Sequence, residues 1–176
     1  YIFSGVFMAY DFDIKVDSEG NPHFVVGVLA EGPDPVSGDD FIFPGTDGSG
    51  YYYFTIDKEN LDNPGTPCDL GSENCNGSTG WKFSKVMSTT DCWGFTTPSG
   101  GSYWQTAFPS FAISEQDEDH LWVVSTLFVP GEGNDPTPED PCDFNTVYEY
   151  GTEDVIVTKS EDGGNYWWGT YNVSST

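Results

Sequence analysis

The sequence predicts an all-β fold of two consecutive repeats, each with four antiparallel strands and long inserted loops. Among the 176 residues, 21 are glycine, 12 are proline and 16% are aromatic, which is typical of short strands joined by tight turns. No segment keeps an apolar period of 3.6 residues, so amphipathic helices are not expected. The third observation is an internal repeat of alternating strands, polar turns and loops at matching positions.

The repeat begins with two similar hairpins, at residues 13–26 and 110–123, in which His23 aligns with His120. Each hairpin has an alternating strand, a polar turn and a second strand that opens with histidine. Because the two histidines align, we expect them to share a structural role at a strand start rather than act as bases. The predicted third and fourth strands are 51–56 and 81–87 in one repeat, and 154–159 and 167–173 in the other.

Four strands followed by their repetition are typical of consecutive β-propeller blades. The first predicted blade is 1–90 with a lead-in segment 1–10, an inter-blade linker covers 91–107, and the second blade is 108–176. The extra length lies in inserted loops, where additional residues cost little free energy.

A short motif follows the third strand of the second repeat. Residues 160–167 read S-E-D-G-G-N-Y-W and match the pattern S-x-D-x-G-x-x-W through Ser160, Asp162, Gly164 and Trp167. The glycines permit positive φ, Asp162 can accept turn N–H groups, and Trp167 can fill the space beneath the turn. These are structural roles, and they nominate no catalytic residue.

This motif resembles the Asp-box of the BNR repeat in sialidase-like β-propellers. The resemblance implies that the box forms the turn between the third and fourth strands of a blade, away from any active site. In the first repeat, the segment from Thr55 to Trp81 resembles a degenerate box split by an insertion. Two blades do not close a ring, so we expect part of a propeller of about six to eight blades, completed by the rest of that propeller or by associating chains.

Charge excludes several partners. The formal net charge is −24, from 29 acidic residues and 5 lysines, and the sequence contains no arginine. Nucleic acid is excluded as a partner because phosphate binding requires Lys and Arg, and no segment is long enough for membrane insertion. Sialidases of the resembling family bind the substrate carboxylate through three arginines, so sialidase activity is not expected, and a non-enzymatic role is favoured while the enzyme class stays open.

The four cysteines predict two disulfides and an oxidising, extracellular environment. Three pairings are open; we favour Cys68–Cys75, which closes a short loop, together with Cys92–Cys142. Asn76 and Asn172 begin two N-x-S/T glycosylation sequons. The chain opens in an apolar run without a signal peptide, so we expect a processed or excised part of a secreted or cell-surface protein.

Calcium is the one cofactor for which the sequence offers ligands. Asp57, Glu59, Asn60 and Asp62 form the best candidate cluster, in an inserted loop. A second cluster comprises Asp135, Glu139, Asp140 and Asp143. Neither follows the EF-hand pattern, and solvated surface acids are the more frequent explanation.

The function indicated is a non-catalytic extracellular or cell-surface module for recognition or scaffolding, with glycans or surface proteins as partners. Aromatic residues between Cys92 and Trp104 would either stack on sugar rings or pack between blades. One alternative is a fragment of a sialidase-like glycoside hydrolase or another polysaccharide-active enzyme. The other is a structural subunit of a surface filament or assembly.

Overall fold

The computed structural model shows an all-β molecule, with one 3₁₀ turn and no α-helix among the residues described. None of these residues belongs to a helix with the length and apolar character needed to cross a bilayer. The residues described are 6–33, 40–42, 48–72, 75, 77–88, 95–96, 102–103, 106–128, 153–169 and 171–174.

The first sheet is built around a four-stranded antiparallel meander in the order β1-β2-β4-β6. Two short strands join it: β3 pairs with β2, and β5 runs parallel to β6 at the edge. Its strands are β1 (Val6–Val16), β2 (Pro22–Pro33), β3 (Asp40–Ile42), β4 (Gly50–Thr55), β5 (Gly65–Asp69) and β6 (Gly80–Ser88).

The second sheet is a four-stranded antiparallel meander in the order β9-β10-β11-β12. A small hairpin precedes it, formed by β7 (Phe95–Thr96) and β8 (Ser102–Tyr103), inside the predicted linker. The strands of the second sheet are β9 (Thr106–Ile113), β10 (Leu121–Phe128), β11 (Glu153–Ser160) and β12 (Tyr171–Asn172).

The structure differs from the predicted strands in several places, and the short strands β3, β7 and β8 lie where a loop and a linker were predicted. The parallel strand β5 was not expected, because alternation in sequence does not reveal a partner strand or its direction. The predicted strand 167–173 is reduced to β12, because Trp167 and Trp168 still belong to the turn that precedes it. The two antiparallel meanders otherwise occupy the predicted positions.

The predicted equivalence of His23 and His120 is wrong in register. In the first hairpin, the N–H of Asp17 donates to the carbonyl of Asn21, whereas in the second the N–H of Ser114 donates to the carbonyl of His120. The second turn is therefore longer. His120 corresponds to Asn21, and His23 corresponds in strand register to Trp122.

One apolar layer lies between the two sheets, and we call the faces that contact each other the inner faces. It is continuous across both sheets, so neither sheet has an inner-face core of its own. Its buried members are Val25, Tyr51, Tyr53, Val86, Met87, Phe111, Leu121, Val123, Ile156 and Trp167.

Polar contacts fix the first strands and turns of the two sheets against each other. Asp13 of β1 accepts the backbone N–H of Phe111 in β9 at 2.8 Å. Between the two hairpin turns, Glu118 accepts the N–H of Ser18 at 2.7 Å and its hydroxyl at 2.9 Å. These bonds set which part of one inner face meets the other.

We expect Leu121→Ala to lower the free energy of unfolding by about 2–5 kcal/mol, because the side chain is 0% exposed between the sheets. Chemical denaturation followed by tryptophan fluorescence measures the loss. Leu61→Ala is the matched control, since Leu61 is 45% exposed and should change stability by less than about 0.5 kcal/mol. Equal effects for the two substitutions would contradict the described core.

Asp13 makes the junction between the sheets sensitive to acid. Partial burial opposes its charge, but hydrogen bonds from Lys15 and from the N–H of Phe111 outweigh burial and hold the pKa of this carboxyl below its usual value. Its contribution is therefore complete above the unfolded pKa of about 3.9 and disappears as the pH falls through the lower folded pKa.

We therefore expect Asp13→Asn to destabilise the chain at neutral pH, with a difference from the wild type that shrinks as the pH falls below about 4. Unfolding curves between pH 7 and the acid limit of folding, roughly pH 2–3, measure this difference. Asp62→Asn makes the same charge change at an exposed position and is the control. A wild-type advantage that stays constant in acid would be inconsistent with the Asp13 contact.

Candidate functional site

Residues 160–167, which carry the S-x-D-x-G-x-x-W pattern, form the turn between β11 and β12. The hydroxyl of Ser160 donates to Oδ1 of Asp162 at 2.8 Å and accepts the N–H of Gly164 at 2.9 Å. Oδ1 of Asp162 also accepts the N–H of Tyr166 at 2.9 Å. Two short polar side chains thereby satisfy the backbone donors of a turn that makes few backbone–backbone bonds.

Two consecutive glycines give the turn its shape. Gly163 has φ 68° and Gly164 has φ 92°, in the left-handed region that side chains with a Cβ rarely adopt. Gly164 also lies directly against the ring of Tyr53 in the first sheet, where a Cβ would come within 2.4 Å of a ring carbon. Glycine is thus required both by the backbone conformation and by the contact with the other sheet.

Trp167 connects this turn to the first sheet. Its ring is 8% exposed and packs edge-on against Tyr53, with ring centroids 5.7 Å apart. Its Nε1–H donates to the hydroxyl of Ser84 at 2.9 Å, and that hydroxyl donates to the carbonyl of Gly164 at 2.5 Å. The buried indole N–H, the Ser84 hydroxyl and the turn carbonyl therefore satisfy one another across the sheet junction.

The equivalent segment of the first repeat has a different construction. Asp57 forms an ion pair with Lys82 at 3.1 Å, and the hydroxyl of Thr55 donates to the carbonyl of Pro22 at 3.0 Å. The intervening residues include the 3₁₀ turn Lys58–Asn60 and β5. The Cys68–Cys75 disulfide that the sequence predicts is present there, while Cys92 and Cys142 lie outside the described residues.

His23 is held on both sides within the junction. Its Nδ1 lies 2.6 Å from the hydroxyl of Tyr53, and its Nε2 lies 3.1 Å from Oδ2 of Asp17. Burial raises the pKa of the Tyr53 hydroxyl, which therefore stays protonated beside Nδ1. Because an ionised carboxylate only accepts hydrogen bonds, Nε2 is the donor to Asp17.

Asp17 is the carboxylate end of this chain of hydrogen bonds. Partial burial works against its charge, but hydrogen bonds from His23 and Asn21 outweigh burial and lower the pKa of the carboxyl. Both ring nitrogens of His23 are therefore occupied by protein partners. The arrangement orients the first hairpin turn against Tyr53, and it leaves no ring nitrogen available to act as a base.

The candidate calcium residues are not brought together around a metal position. Within the described part of the chain, no group of three or more His, Cys, Asp or Glu residues could hold a metal ion. Asp57, Glu59 and Asn60 instead line an open polar cleft of about 430 Å³. Lys58 also lines this cleft, and its ammonium group donates to the carbonyl of Glu19.

The remaining predicted sites lie at the surface or outside the description. Asn172 is exposed in β12, and its side-chain oxygen accepts the N–H of Ser174 at 3.0 Å. Asn76, the second acidic cluster and most of the aromatic segment between Cys92 and Trp104 lie outside the described residues. His120 is partly exposed, and its Nε2 lies 3.8 Å from Oδ2 of Asp117.

Three contacts that join the sheets were not predicted from the sequence. Ser84 with Trp167, Asp13 with the N–H of Phe111, and Ser18 with Glu118 each join residues from different repeats. No local pattern marks these residues, since their partners are far away in sequence. The repeat itself was the one available signal, because it predicted which strands would be equivalent.

Comparisons of the chain with models of protein families, with curated proteins and with solved structures found no match.

We expect Gly164→Ala to destabilise the chain strongly. The left-handed conformation costs a residue with a Cβ about 1–2 kcal/mol, and overpacking against Tyr53 adds roughly 1–3 kcal/mol. Gly169→Ala is the control, because nothing lies within 4 Å of its added Cβ. Thermal unfolding compares the two variants, and a Gly164→Ala protein as stable as the control would refute the described turn.

Proposed function

We propose that this chain is a non-catalytic extracellular scaffold or recognition module of the Asp-box propeller type, with its two sheets as consecutive blades. The junction between the sheets carries the proposal. Two four-stranded antiparallel meanders stack face to face, β1 lies beside β9, and Trp167 of the box closes the junction. Successive four-stranded sheets of propellers are arranged around their axis as repeated units of this kind.

An extracellular location is supported by the Cys68–Cys75 disulfide, since disulfides persist mainly in oxidising compartments. The strongly negative charge supports solubility in such surroundings. Glycans or surface proteins are the partners that we propose for a recognition role, and a scaffold role would engage further sheets of the same kind.

The non-catalytic part of the proposal is supported by the way the polar groups are used. His23 and Asp17 are engaged in the first hairpin turn, and Asp162 is engaged in the Asp-box turn. The sequence lacks the arginines of a sialidase, and no observation in the described residues favours the hydrolase alternative. The alternative of a structural subunit is favoured by the apolar outer faces of both sheets, where Phe12 and Trp168 are exposed.

The test is a hydrolysis assay on sialosides and on a panel of polysaccharides, combined with binding to a glycan array. We expect no turnover by the folded chain, whether or not it retains a glycan on the array. Asp17→Asn and Asp62→Asn form a matched pair, because Asp17 is the partly buried carboxylate beside histidine and Asp62 is exposed. Turnover that is lost in Asp17→Asn and kept in Asp62→Asn would overturn the proposal.

A further inference from the structure

The outer face of the first sheet, which points away from the second sheet, is apolar across all four strands of its meander. The strand register places the residues that share this face in cross-strand pairs, among them Ile14 with Phe24, and Phe24 with Phe54. Its described apolar side chains are Met8, Phe12, Ile14, Val16, Phe24, Val26, Val28, Tyr52, Phe54, Trp81 and Phe83.

Part of this outer face is open to solvent. Val26, Val28 and Tyr52 are buried, but Phe12, Ile14 and Val16 along β1 are 61%, 50% and 62% exposed. Met8, near the other end of β1, is 48% exposed, so the accessible part of the face runs along the edge strand β1. Three large apolar side chains in a row on one strand form a patch of the kind that marks an interaction surface.

The outer face of the second sheet is also rich in apolar side chains. Trp122, Val124 and Val157 are partly exposed, and Val155, Trp168 and Tyr171 are exposed. Lys159 lies on the same face, with its ammonium group 5.9 Å from the centre of the Trp168 ring. An antiparallel sheet with one solvated face normally carries polar residues there, so this face departs from that pattern.

The internal repeat relates these outer faces to the inner faces. Matching the two hairpins by their turn hydrogen bonds makes Ile14 equivalent to Phe111, Val16 to Ile113 and Phe24 to Val123. Phe111 and Val123 are buried against the first sheet. The outer face of the first sheet thus corresponds to the face by which the second sheet already docks.

The reverse correspondence also holds. The same register makes Val124 equivalent to Val25 and Val157 equivalent to Tyr53, both of which are buried in the junction. The outer face of the second sheet thus corresponds to the face of the first sheet that receives its neighbour. The outer face of the first sheet therefore resembles the inner face of the second sheet, and the outer face of the second sheet resembles the inner face of the first. Because those two inner faces pack against each other, the two outer faces are complementary in the same way.

We propose that a second copy of this chain packs head to tail, with the outer face of its first sheet on the outer face of the second sheet. This proposal rests on the proposed function, because it names the partner of the scaffold. The interface is heterologous, since different faces meet, so repetition gives either a closed ring or an open filament. A closed ring would contain an even number of four-stranded sheets.

The net charge of −24 opposes this association. Because salt screens repulsion between exposed charges, added NaCl should strengthen the association, in contrast to an interface held by ion pairs. The apolar contacts themselves also gain from salts that are excluded from protein surfaces.

The experiment measures the mass of the 176-residue chain by light scattering after size-exclusion chromatography, over a range of protein and NaCl concentrations. Ile14→Lys disrupts the outer face of the first sheet, and Val155→Lys disrupts that of the second. Leu61→Lys changes a side chain of similar exposure in a loop that belongs to neither face. Thermal unfolding of every variant checks that each is folded.

We expect the wild type and Leu61→Lys to form oligomers that grow with salt, and each outer-face variant alone to be a monomer. An equimolar mixture of Ile14→Lys and Val155→Lys should stop at the dimer, because one intact face remains on each chain and the two are complementary.

A monomeric wild type under all conditions would overturn the proposal. Dimers of either outer-face variant alone would also overturn it, because they would show pairing of identical faces. Turnover in the hydrolysis assay bears on the proposed function alone, so the two failures are distinguishable.

Discussion

The position of Trp167 is the constraint on which the junction between the two sheets depends. The ring reaches the first sheet because Ser160 and Asp162 hold a turn with two glycines in the left-handed region. The ring remains there because the hydroxyl of Ser84 accepts the indole N–H and donates to the carbonyl of Gly164 in the turn. The same residues thus shape a loop and align two sheets, so the local turn and the tertiary packing stabilise each other.

This arrangement uses polar groups that would otherwise be candidates for chemistry. His23 is bonded through both nitrogens, and Asp13 is bonded to the N–H of Phe111 across the junction. A buried polar group that already has its partners gains little by releasing them to a substrate. The described polar groups of the junction are therefore engaged in holding the two sheets and their turns in place.

Local features could be predicted from the sequence, and features that depend on distant partners could not. The turn at residues 160–167, the Cys68–Cys75 disulfide and the positions of both meanders follow from short patterns or from the repeat. The bonds of Asp13 with Phe111 and of Ser18 with Glu118 depend on how two sheets align, which no short pattern encodes. The register of His23 was missed because identical residues were aligned across turns of different length.

The exposed acidic side chains lie mainly in turns and loops, whereas the outer faces of the two sheets are mainly apolar. Glu19, Glu59, Asp62, Glu115 and Asp117 are exposed in turns and loops. On the outer faces, Lys85 and Lys159 lie among the apolar side chains, and the strand register also places Asp69 and Glu153 on these faces, in the edge strand β5 and at the start of β11. Both acids lie at the borders of the faces, away from Phe12, Ile14 and Val16 in the first sheet and from Trp122 in the second. The exposed acids of the turns and loops therefore leave the middle of each outer face apolar, and this is the part that the proposed packing would bury.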